Sequence, residues 1–162
     1  MPSLSRPHAF EEARHFALQR LQLAAEAVAG FQHQGRLLAG VGCRREITAD
    51  ELEKVVRMAL GMFQLPAERL DAVATESEKA TDPAFAEVAR RLSATLVACT
   101  IDDLDRVAGQ VLTRSKLVLE AKGVPSIAEA SALVVAGRNG RLLGTRVASA
   151  QATCAIAVGD GR

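Results

Sequence analysis

Three short apolar runs, separated by two segments that carry helix-start signals, leave few folds open to this chain. The runs are Leu37-Leu38-Ala39-Gly40-Val41-Gly42, then Ala72-Val73-Ala74-Thr75, then Ala94 to Cys99 with β-branched Thr95 and Val97. Each is short enough for a buried strand and bounded by polar or glycine residues. Between the first two, Thr48 followed three residues later by Glu51 forms a capping box, and Leu52, Val55, Val56, Ala59 and Phe63 supply one apolar helix face that ends near Pro66. Between the second and third, Asp82-Pro83 places an N-cap aspartate before a proline at the first helical position, and Phe85, Val88, Ala89 and Leu92 form the stripe behind it. Strand, helix, strand, helix, strand at this spacing predicts an α/β fold with a mixed, mainly parallel sheet flanked by helices.

The rest of the chain fits round that unit. A helical turn is expected at Ile101 to Val107. Gly123-Val124-Pro125-Ser126 then feeds a helix in which Ser126 and Glu129 read as a second capping box, and Ala128 to Ala136 is almost wholly apolar, so that this helix belongs at the centre. Leu142 to Val158, turning at Ser149-Ala150-Gln151, reads as a C-terminal strand hairpin at the sheet edge. Near the N-terminus, Phe10, Ala13, Ala17, Leu21, Ala24 and Val28 recur in steps of three and four, which predicts an amphipathic helix over residues 8 to 30. With 162 residues, 49% of them apolar, one well-buried core is expected. The division is an N-terminal helical extension, 1–35, and an α/β domain, 36–162.

Charge and residue usage narrow the function. Twenty Lys and Arg against nineteen Asp and Glu leave a formal charge of +1, and the only aromatics are five Phe. Neither a field that attracts phosphate backbones nor a base-stacking platform is present, so nucleic acid is not an expected partner. No apolar run reaches the roughly 20 residues of a membrane helix, and Glu11 and Glu12 stand where a secretory leader would be apolar; the expected compartment is the cytoplasm, with no membrane partner. Cys43, Cys99 and Cys154 show neither disulfide nor zinc spacing, and His8, His15 and His33 read as surface residues. No metal and no cofactor is expected.

The residues with chemical potential cluster at predicted strand ends. Gly40-Val41-Gly42-Cys43-Arg44-Arg45 reads as a glycine turn at the carboxyl end of the first strand, the edge where open α/β sheets bind ligands. Glycine backbone, free amides and two arginines suit a carboxylate ligand; the same six residues also suit a tight turn with solvated arginines. A third glycine for a dinucleotide fingerprint is missing at Arg45, and no Walker-type GK[ST] occurs. Thr75 with Glu76, Glu78 and Lys79 falls at the end of the second strand, and Ser126 at a helix start; each also fits an ordinary polar loop or cap. Among arginines, Cys43 is a candidate nucleophile of lowered pKa, or a small residue packed under the loop.

Taken together and in order, these segments resemble the cobalamin-biosynthesis family that comprises CobE and the C-terminal domain of CbiG. The resemblance rests on Gly40-Val41-Gly42-Cys43-Arg44-Arg45, on Ala74-Thr75 with Lys79, and on Gly123-Val124-Pro125-Ser126-Ile127-Ala128-Glu129-Ala130-Ser131-Ala132-Leu133. It covers roughly residues 36 to 158, with Arg146 and Thr153 matching a late strand pair in which the family often has lysine where Arg146 stands.

The resemblance implies a role around ring contraction in corrin assembly, whose tetrapyrrole intermediates carry many acetate and propionate carboxylates. It implies a ligand site of Gly40, Gly42, Cys43, Arg44, Arg45, Thr75, Lys79, Ser126 and Arg146. Two activities follow. The first is binding and carrying a precorrin or corrin intermediate; the second is hydrolysis, since two-domain CbiG proteins open a ring lactone of a precorrin-5A-type intermediate and release acetaldehyde, for which Cys43, Glu76 and Glu129 are the candidate catalytic residues. A generic nucleotide-binding or structural domain would require all three matches to be accidental. Other enzymes of the pathway, and a second copy of the chain in a homodimer, are the further partners it suggests, with the N-terminal helix available for an interface or for packing on its own chain.

Overall fold

The computed structural model describes residues 35–161 and, ahead of them, five helical positions at 14, 15, 18, 19 and 22. The helix expected over residues 8 to 30 otherwise lies outside the described residues. The first strand, β1 (Arg36–Cys43), is buried without a break from Leu37 to Gly42. Such a run needs cover on both faces, as in sheets sandwiched between helices.

Helix α1 (Ala49–Met62) begins as its sequence dictates: Thr48 Oγ1 accepts from the Glu51 amide at 3.2 Å, and Glu51 Oε2 accepts from the Thr48 amide at 3.2 Å. It buries Leu52, Val55, Val56, Ala59 and Leu60. After β2 (Ala72–Glu76) and the single turn α2 (Ser77–Ala80), helix α3 (Pro83–Arg91) starts where the Asp82 carboxylate accepts from the Ala84 amide at 2.9 Å. Strand β3 (Thr95–Cys99) and α4 (Ile101–Arg106) follow, then α5 (Lys116–Lys122), α6 (Ile127–Ala136), β4 (Arg141–Leu142), β5 (Val147–Ala148) and β6 (Ala152–Gly159).

The six strands form one mixed sheet in the order β3-β2-β1-β6-β4, with β5 also on β6. β1–β2 and β2–β3 are parallel, whereas β6 runs antiparallel to β1, β4 and β5. The C-terminal hairpin forms about Ser149 to Gln151 as expected, but only its short first arm is peripheral. β6 takes an interior place, in register with β1 from Arg36↔Gly159 to Cys43↔Ala152. Its near-continuous apolar run, buried at all but Thr153, would waste its cover at an edge.

Alternate residues of β1 serve two cores. Leu37, Ala39 and Val41 meet α1, α3 and the Cys154 and Ile156 face of β6, around Phe85; Leu38 meets the layer of α6 with Ala72, Ala74, Ala155 and Ala157. All ten residues of α6 are buried, the central position its composition predicts.

Candidate functional site at the carboxyl edge of the sheet

The parallel strands β1, β2 and β3 end at Cys43, Glu76 and Cys99 on one edge. Antiparallel β6 starts there, with Ala152 opposite Cys43. The first turn of α6 reaches the same edge: a Cβ on Gly42 would lie 3.4 Å from Ile127 Cβ and 3.5 Å from the Ala128 nitrogen. The three sequence segments thus converge, though several of their residues do other work than the sequence suggests.

Gly40 and Gly42 are not in a turn. Both are buried within β1, whose pairing with β6 continues to Cys43, and the bend falls at Arg44 and Arg45. The reason is the helix behind the strand: a Cβ on Gly40 would sit 2.0 Å from the Ala128 carbonyl oxygen and 2.5 Å from the Ala132 nitrogen. Gly40 lets a helix approach. Thr75 is likewise buried, its hydroxyl donating to the Val41 carbonyl at 2.7 Å between β2 and β1.

Ser126 Oγ accepts from the Glu129 amide at 3.3 Å, but the reciprocal half of the expected capping box is absent. The fully buried Glu129 carboxylate turns to two loops instead. Its Oε2 accepts from the amides of Leu112 at 2.6 Å and Thr113 at 2.9 Å, and its Oε1 from the amide of Arg146 at 3.1 Å. Three loop amides in need of acceptors outcompete one helix-cap amide, because a charged buried carboxylate is strongly stabilised by several donors.

Glu76 is 3% exposed, and its Oε1 lies 3.3 Å from Lys122 Nζ at the end of α5. The same ammonium is 2.8 Å from Glu78 Oε2, and hydrogen bonding to Glu78, together with the Glu76 charge, holds it above the ordinary lysine range.

Of the two readings of Cys43, the nucleophile of lowered pKa does not fit. Burial pushes the half-buried thiol up, with Asp82 and Glu76 adding to the rise and only Lys79 opposing it. Alkylation by iodoacetamide should therefore have its pH midpoint above that of a free cysteine, with Cys43 modified ahead of the buried Cys99 and Cys154; a midpoint below that of the free thiol would overturn the assignment.

The cations remain. Arg44 and Arg45 are exposed, Lys79 and Arg146 half-buried, and no side chain of the four makes an ion pair or hydrogen bond with another described residue. Lys79 lines a cleft of about 440 Å³ with Glu46, Ile47, Glu78, Thr81, Asp82 and Pro83. Three carboxylates in that cleft make its interior a poor seat for a polyanion. Among the described residues no group of His, Cys, Asp and Glu is placed to hold a metal ion, and no helix is long and apolar enough to cross a membrane.

Residues 37–157 match the family model described as "Cobalamin synthesis G C-terminus". The chain belongs to this cobalamin-biosynthesis family. Protein CobE of Sinorhizobium sp. is 30% identical over 121 residues, which are 75% of this chain and 79% of that protein. A crystal structure of CobE, from the cobalamin (vitamin B12) biosynthetic pathway, superposes with a TM-score of 0.73 at 30% identity, covering 76% of this chain and 90% of that one. The cobalamin biosynthesis protein chiG of Agrobacterium tumefaciens str. C58 is 36% identical with a TM-score of 0.60, covering 75% of this chain and 96% of that one.

Within this CobE/CbiG-type domain, sequence reasoning missed Lys122, the partner of two glutamates, and the loop amides that Glu129 gathers. Lys122 carries no spacing signal relative to Glu76. A glutamate at the third position of a mostly apolar helix was the one available hint, since only multiple donors keep such a carboxylate buried.

Proposed function

We propose that this protein binds a polycarboxylate corrin or precorrin intermediate of the ring-contraction steps at the carboxyl edge of its sheet, and carries it without chemical conversion. The unit that does this is residues 36–162, with 1–35 as an extension. One observation carries the reading: the side chains of Arg44, Arg45, Lys79 and Arg146 make no ion pair or hydrogen bond with another described residue, Arg44 and Arg45 directly follow the end of β1 at that edge, and the candidate catalytic groups are held in other environments. Glu129 is enclosed by three amides, Glu76 is held by Lys122, and the Cys43 thiol is pushed away from its nucleophilic form. Arginines grip carboxylates through paired hydrogen bonds, and the amides at the start of α6 favour negative charge nearby.

The test is an absorbance titration with hydrogenobyrinic acid, a metal-free corrin polycarboxylate, comparing the wild type with Arg44→Ala/Arg45→Ala. Saturable binding is expected, weakened in the double variant by roughly 10- to 100-fold, one to two decades for two lost charge-assisted grips. A folded wild type that binds no corrin overturns the reading. Acetaldehyde released from a precorrin lactone would replace the carrier with a hydrolase.

A further inference from the structure

The Glu129 carboxylate joins two loops that are far apart in sequence, and each loop carries an arginine at the point of attachment. On one side Thr113 donates its amide to Oε2, and Arg114 is the next residue. On the other, Arg146 itself donates its amide to Oε1. Arg114 is also pinned from behind, because the amide of Ser115 donates to the Pro125 carbonyl at 2.9 Å, immediately before the N-cap Ser126. Its backbone is thus fixed on both sides, at Thr113 and at Ser115, to the segment that opens α6. The Arg114 side chain is exposed and makes no ion pair or hydrogen bond with another described residue. The backbones of two arginines are therefore tied to a single carboxylate, Arg146 directly and Arg114 through its neighbour Thr113.

We propose that Arg114 is a carboxylate-binding residue of the tetrapyrrole site, acting as a pair with Arg146, and that Glu129 is the positioning residue that sets the pair. This rests on the binding reading above and adds to it a second grip besides Arg44 and Arg45. A ligand with carboxylates round its rim can engage both grips at once, whereas a ligand with one carboxylate can engage only one. The site therefore selects for carboxylate number.

The experiment uses the full chain and two probes, hydrogenobyrinic acid and its fully methyl-esterified form. Arg114→Ala should weaken binding of the acid by about tenfold, with Arg114→Lys in between, and should leave the weaker binding of the ester unchanged. Arg57→Ala, at an exposed pair with Glu53 on α1, should change neither. Arg114 and Arg146 should show coupling in a double-mutant cycle, and that coupling should vanish in a folded Glu129→Gln background, a result that loss of stability alone does not produce. If the wild type binds the acid and Arg44→Ala/Arg45→Ala weakens it, yet Arg114→Ala stays within twofold of wild type, the paired grip is wrong and the binding reading stands. If the wild type binds neither probe, both fall.

Discussion

Gly40→Ala should unfold this protein or cost it about 3 kcal/mol or more, at the upper end of what overpacking does. The added methyl carbon would fall 2.0 Å from the Ala128 carbonyl oxygen, 2.5 Å from the Ala132 nitrogen and 2.7 Å from Ser131 Oγ. Two of those three atoms are helix backbone, so no rotamer change relieves the clash. Relief requires α6 to move off β1, and α6 is buried at every one of its ten positions. The strand cannot retreat either, since Gly40 is paired with Ala74 on one side and Ala155 on the other. Gly61→Ala is the control: nothing lies within 4 Å of the added Cβ near the end of α1. That substitution should be neutral or stabilise by up to about 1 kcal/mol, through the helix preference of alanine over glycine. Gly40→Ala should fail to fold or show a urea midpoint well below wild type, while the Gly61→Ala midpoint should stay at or above it. A Gly40→Ala midpoint at or above wild type would mean that the β1–α6 approach is looser than the structure has it.

The same glycine illustrates what the sequence could and could not disclose. Helix starts were legible because their information is local: Thr48 with Glu51 and Asp82 with Pro83 need only neighbours within three residues. The strands were legible for the same reason, as was the turn at Ser149 to Gln151. Strand order was not, because the partner of β1 on one side is β6, more than a hundred residues away. Gly40 was read as an approach point for a ligand, and it is one for a helix; a missing side chain does not say what fills its place. Cys43 was read beside Arg44 and Arg45, its neighbours in sequence. The chain bends away at Arg44 and Arg45, and the thiol answers instead to burial and to Lys79, Asp82 and Glu76. Arg44 and Arg45 themselves need no partner to be found, and the sequence placed them at the carboxyl edge where the structure has them. That edge is settled by the parallel order of β1 to β3, the part of the topology that the βαβ spacing does encode.

Glu129→Leu should destabilise the protein by about 3 kcal/mol, since a bond to a charged acceptor contributes about 1.5–3 kcal/mol and three are lost. The loss stays below the sum of three such bonds because the donors are only partly buried, and water can serve some of the freed amides once the loops relax. Glu129→Gln should cost less: its one carbonyl oxygen can keep Leu112 and Thr113, while its amide group faces the Arg146 amide donor to donor. The consequence is local as well as global. In both variants the amide of Arg146 should exchange with solvent faster than in wild type, and in Glu129→Leu those of Leu112 and Thr113 should do so too. Amides in the β1–β6 ladder should follow only the global loss of stability, which separates the two effects in one hydrogen-exchange experiment. Unchanged exchange at Arg146 in Glu129→Gln would sever the link between the two loops. With that link would go the reason for a buried carboxylate at the third position of an otherwise apolar helix, where desolvation without donors would cost far more than any packing gain.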